Sequence, residues 1–174
     1  MGGSGGVAVA AALKLAAQVS PESVIAVIIP DSGRNYLTKY FNESWLARWG
    51  FDGPATGAPA LGATREYVGV PADSTLGDAR TLALGSPVLP VHVRRAGTTV
   101  VAAEIVGSID LEATRSAPSD ALVRDHLGAV PALAGIGEPA GVVRERATSQ
   151  RSRLVVVVDH GVAMAITDTA EING

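Results

Sequence analysis

Gly2 to Gly6 reads GGSGG and runs straight into a helix rich in alanine and leucine, Val7 to Gln18. Glycines leave their backbone N–H groups unencumbered, and a helix start carries partial positive charge, so this loop suits an anion or a polar ring. Alone, such a loop is more often just a tight turn. The three histidines, His92, His126 and His160, fall far apart on a predicted strand, a linker helix and a turn, with no pair at helical ligand spacing, which predicts no metal site. The absence of cysteine excludes disulfides, thiolate metal sites and a cysteine nucleophile, and no GxSxG elbow appears. Lys14 and Lys39 are the only lysines, and both read as solvated residues on helices. No catalytic residue is assigned: covalent catalysis through an amine has no nucleophile here.

These residues need elements to hold them, and the composition calls for an α/β fold. The chain has 174 residues, 47% of them hydrophobic and few aromatic, enough for helices packed on small sheets. A net charge of -3, with only Arg94 and Arg95 adjacent among the basic residues, excludes binding driven by the charge of nucleic acid or of an anionic membrane. No apolar run approaches the ~20 residues that cross a bilayer and no basic leader precedes one, so a cytoplasmic chain is the expectation.

Ser20 and Pro21 break the first helix, and Ser23 to Pro30 is a β-branched run that predicts a strand buried on both faces. After a turn at Asp31 to Arg34, the spacing of apolar residues predicts one helix over Tyr36 to Trp49. Residues 51–64 have linker composition, rich in Gly, Pro and Ala. Beyond them Val70, Pro71, Ala72, Leu76, Gly77 and Asp78 match Val130, Pro131, Ala132, Ile136, Gly137 and Glu138 at a constant offset of 60 residues. Each copy reads strand, helix with an acid in its first turn, strand (Val88 to Arg95; Leu154 to Asp159), turn at Gly97 or Gly161, strand (Thr98 to Val106; Val162 to Thr167) and short helix. The order β-α-β-β-α thus occurs twice, with a helix expected over Ser119 to Leu127 between the copies. Units this small are expected to pack together as a pseudo-twofold pair.

Two stretches carry a family resemblance. Val27 to Phe51, VIIPDSGRNYLTKYFNESWLARWGF, resembles the segment that closes the catalytic domain of cystathionine beta-synthases, and Gly2 to Ala16 resembles the loop and helix just upstream of it. The resemblance implies that Gly3, Ser4 and Gly5, with Pro30 and Asp31, face the ring of pyridoxal phosphate in an intact enzyme. It places the Schiff-base lysine and phosphate loop upstream of this sequence. A chain opening inside such a motif reads as the trailing part of a longer domain.

The repeats, above all Arg124 to Pro139 and Leu154 to Thr167, resemble a pair of CBS domains. The implied architecture is residues 1–50 as the remnant of a pyridoxal-phosphate-enzyme α/β domain, 51–64 as linker, 65–118 as the first CBS domain, and 119–174 as linker helix and second CBS domain. The resemblance also implies a homodimer and an adenosyl ligand, S-adenosylmethionine, AMP or ATP, near Ser108, Asp110, Thr167 and Asp168. In the usual pattern the last strand ends in Thr or Ser with Asp three residues later. Here Thr167 is followed by Ala170 at that distance, and Asp110 is preceded by Gly107. Ser, Thr and Asp at such junctions also cap helices, so both readings stand. Three roles follow: regulatory portion of such an enzyme, standalone adenosyl sensor, or ligand-free dimerisation module.

Overall fold

The computed structural model describes residues 1–51, 61–93 and 99–172, and the chain divides into two compact units, Met1–Leu46 and Ala47–Gly174. Most of the expected linker, the Gly97 turn and the ends of the two strands flanking that turn lie outside the described residues.

In the first unit the glycine loop is itself helical: α1 spans Gly3–Ala16, and Gly6 N donates to Gly2 O at 3.0 Å. Glycine is a poor helix former, but Asp31 takes up two of the orphan amides at this helix start, Ser4 N at 3.1 Å and Gly5 N at 2.8 Å. The expected strand at Ser23 to Pro30 is absent. That stretch has no partner strand among the described residues, and Val24 and Ile28 are 94% and 84% exposed. A β-branched run becomes a strand only where a neighbour satisfies its backbone. The expected helix from Tyr36 to Trp49 is also broken, into a 3-10 turn, Gly33–Tyr36, and α2, Glu43–Trp49, whose residues from Ala47 onward belong to the second unit. Asn42 causes the break, its Oδ1 accepting from Trp45 N at 2.9 Å as a helix cap.

In the second unit the order β-α-β-β occurs twice. The first copy comprises β2 (Val70–Pro71), α3 (Leu76–Leu82), β3 (Val88–His92) and β4 (Ile105–Asp110). The second comprises β5 (Ala132–Gly135), α4 (Ala140–Ser149), β6 (Leu154–Asp159) and β7 (Val162–Asp168). The closing helix of each copy is reduced to turns after β4 and to one 3-10 turn, Thr169–Glu171, after β7. A short strand β1, Arg65–Glu66, joins the second copy's sheet, giving the order β1-β7-β6-β5 beside β2-β3-β4.

Strand register shows how the copies correspond. Val88 faces Asp110 as Leu154 faces Asp168, and both hairpins carry a bulge at the same rung, between Val91 and His92 and between Val157 and Val158. Because Val70 pairs with Val91 and Ala134 with Val157, Val70 corresponds to Ala134 and not to Val130. The constant offset read from the sequence is therefore corrected: the offset changes along the chain because the connections differ in length. Asp78 and Glu138 are accordingly not equivalent. Asp78 forms a capping box with Thr75 at the start of α3, whereas Glu138 precedes α4 and makes a buried bidentate ion pair with Arg146.

Three cores hold this unit. Along β6 the side chains alternate: Val155 and Val157 meet α4, while Leu154, Val156 and Val158 join Val88, Ile105 and Ile166 between the repeats. This explains the unbroken apolar run, since a strand covered on both faces has no polar side. Each such side chain contributes about 1.5–3 kcal/mol by leaving water. The third core lies under α3, around Leu76, Leu89 and Ile109. The expected helix at Ser119 to Leu127 is broken into turns instead, because its backbone serves α3 and the residues after β2: Leu76 N donates to Ala121 O, Gly77 N to Ser119 O, and Arg124 N to Ala72 O, all near 2.9–3.0 Å. Only Val123–His126 winds into a 3-10 turn.

Candidate functional site

Each repeat has a cleft where its last strand leaves the sheet. In the second, about 700 Å³ is bounded by Arg144 and Thr148 of α4, Ser152 and Arg153 ahead of β6, Asp168 at the end of β7, and Ala170 and Glu171 after it. The corresponding cleft of the first repeat, about 420 Å³, has Arg80, Ser86, Glu112 and Arg115 among its walls.

The two are built alike. Arg80 donates to Thr114 O at 2.9 Å, and Arg144 likewise donates to Ile172 O, so each helix arginine holds the chain that follows the last strand. Leu111 N donates to Pro87 O and Thr169 N to Arg153 O, both at 2.9 Å. They differ in charge. The second cleft carries Asp168 at the strand end and Glu171 three residues on, while Asp110 is followed at that distance by Ala113. Asp110 instead reaches across the repeats to Arg153 Nη1 at 2.5 Å and so orients a guanidinium of the second cleft. Fork-shaped guanidinium groups suit phosphate or carboxylate, and carboxylates suit ribose hydroxyls or a cation.

The other polar residues at these junctions have different employment. Thr167 is fully buried and donates to Ala63 O at 2.8 Å, and Ser108 donates to Ala129 O at 2.7 Å. Each hydroxyl ties a last strand to the segment that leads into the other repeat. Asp110 accepts from Glu112 N and Ala113 N at 3.0 Å, and Asp168 from Ala170 N at 2.9 Å, so both carboxylates cap a turn. Of the four residues singled out, Asp168 lines the second cleft, with Asp110 joined to it through Arg153. The arginines were not foreseen, because their matching places appear only once the varying offset is known.

In the first unit Gly3, Ser4, Gly5 and Asp31 come together, while Pro30 is exposed. The Asp31 carboxyl lies below its ordinary range, held there first by the Tyr36 hydroxyl at 2.5 Å, against a smaller effect of burial, and then by the amides of Gly5, Ser4 and Gly2. The same bond raises the Tyr36 phenol. The residues of this unit do not by themselves fit pyridoxal phosphate: the helix-start amides are engaged by Asp31, and Lys14 and Lys39 are exposed, Lys14 about 15 Å along α1 from Ser4. Among the described residues no group of His, Cys, Asp and Glu could hold a metal, and no helix is long and apolar enough to cross a membrane.

Comparison with known proteins gives the class first. Residues of this chain superpose on the CBS domain of a bacterial CNNM/CorC family Mg2+ transporter with a TM-score of 0.50 and 17% identity, covering 66% of this chain and 72% of that one. The same domain in complex with ATP gives 0.49 and 15%, covering 60% and 75%. The repeats therefore have the fold of a CBS-domain pair. In sequence, a cystathionine beta-synthase of Apis mellifera is 48% identical over 50 residues, 29% of this chain and 10% of that protein. One of Dictyostelium discoideum is 43% identical over 53 residues, 30% of this chain and 11% of that protein. The chain thus spans about a tenth of the length of the curated relatives it matches. No protein-family model matches it.

Proposed function

We propose that this chain is the regulatory portion of a cystathionine beta-synthase, an enzyme that condenses serine with homocysteine, and that its second repeat binds an adenosyl ligand. In this reading residues 1–50 belong to the catalytic domain, 51–64 are linker, and 65–118 and 119–174 are the two CBS domains, which also pair two copies of the chain. The curated likeness supports the first part, and the exposed apolar residues of the first unit agree with it, since Val7, Leu13, Val24, Ile28 and Phe41 are surfaces that further catalytic-domain chain would cover. Pyridoxal phosphate belongs only to such an intact enzyme.

One observation carries the ligand: the second cleft brings Arg144 and Arg153 together with Asp168 and Glu171. The guanidinium groups would meet a phosphate or carboxylate, and Glu171, three residues beyond the strand end, would accept from the ribose. Calorimetric titration of the full chain with ATP, AMP and S-adenosylmethionine tests this. One of the three binds, and Glu171→Ala weakens it by about ten-fold to hundred-fold, the loss of a charge-assisted hydrogen bond of about 1.5–3 kcal/mol. Dimers with no affinity for any of the three would establish a ligand-free dimerisation module instead.

A further inference from the structure

The turn between β6 and β7 is held from two sides. His160 N donates to Gly50 O at 3.2 Å and Gly161 N to Trp49 O at 2.8 Å, so two successive amides grip the end of α2 and the residue after it. On its other side Gly161 O accepts from Ala102 N at 2.8 Å, and Ala163 N donates to Val100 O at 2.9 Å, joining the turn to the lead-in of β4 in the first repeat. The seat for α2 is close. A Cβ on Gly135 would stand 1.6 Å from Ala47 O, and one on Gly50, whose φ is +69°, 2.7 Å from Val158 O. Trp49 packs on the core between the repeats, and the Phe51 ring meets His160 edge-on at 5.8 Å.

We infer that the β6–β7 turn is a relay, coupling the contact between the repeats to the last turn of α2. A shift of one repeat against the other changes the bond from Ala102 to Gly161 O, and the two peptide planes that immediately precede that carbonyl hold Trp49 and Gly50. The trigger rests on the ligand reading above; the clamp does not.

Amide exchange of the full chain, followed by NMR, tests the clamp. Gly135→Ala adds a methyl group where Ala47 O sits while leaving an acceptable strand residue. His160 and Gly161 are expected to exchange about tenfold faster or more, with Ala102 and Ala163 accelerated in step, while Leu89 and Ile109 in the β3–β4 hairpin stay protected. Gly50→Ala, outside the sheets, should give the same pattern. If His160 and Gly161 open and Ala102 and Ala163 do not change, the turn clamps without relaying and the inference fails. It fails equally if neither pair responds, or if both variants also lose protection at Leu89 and Ile109. ATP serves as the probe of the trigger. ATP that binds by calorimetry yet leaves the Trp49 indole and Gly161 amide resonances unmoved overturns the relay and spares the ligand reading. No ATP binding counts against the ligand reading alone, and the glycine variants then decide the clamp.

Discussion

Tyr67 has a buried hydroxyl with no hydrogen-bond partner among the described residues. Burial, with the Glu104 carboxylate adding to it, holds its phenol above the ordinary range. The unfolded chain loses that proton near pH 10, whereas the folded chain keeps it to higher pH. The resulting stabilisation is complete below about pH 10 and is lost as pH rises beyond it. Tyr67→Phe should remove this alkaline sensitivity, and at pH 8 it should be neutral or stabilising by about 1 kcal/mol, because an orphan hydroxyl is eliminated. Thermal melts of both proteins at pH 8 and 10.5 check both statements. Asp31 has the opposite sign. Its carboxyl is depressed, so its support of α1 is present above about pH 4 and disappears as pH falls through the folded value. The amide shifts of Ser4 and Gly5 should move in that window and lose the dependence in Asp31→Asn. Sequence reading brought Ser4 and Asp31 to one place, but it could not show that Asp31 would take the helix-start amides itself.

Among elements, the two helix starts of the repeats respond differently to loss of a side chain that anchors them. Asp78 sits in an exposed capping box with Thr75, so Thr75→Ala should cost about 0.5–2 kcal/mol. Glu138 is buried against Arg146, with Gly135 N also donating to it at 3.3 Å, so Glu138→Ala leaves an uncompensated guanidinium and should cost about 3–5 kcal/mol. Denaturant melts of the two variants rank them. The alternation of strands and helices in the repeats was legible because each strand is either covered on both faces or paired at once. Ser23 to Pro30 has the same β-branched composition and forms no strand, since composition reports only what a segment would do if offered a neighbour. The segment after Ser119 misled for a related reason: its amides and carbonyls are spent on α3 and the residues between β2 and α3, a tertiary demand with no local signature.

For the molecule as a whole, the place where the chain is cut matters. Removing Met1–Leu46 should leave the melting of the second unit unchanged and improve solubility, by discarding the exposed apolar residues of the first unit. Removing five more residues, through Phe51, also strips Trp49 and Gly50 from the β6–β7 turn and should cost about 1–3 kcal/mol. Calorimetric scans of the two truncations separate these outcomes. The bulges between Val91 and His92 and between Val157 and Val158 bear on how alike the two halves of the pair are. A bulge re-aims every side chain beyond it, so it is tolerated only where the surroundings were fitted to it. The same irregularity at the same rung of both hairpins means that the two repeats aim their side chains alike on either side of the kink, so either hairpin offers the seam the same pattern of faces.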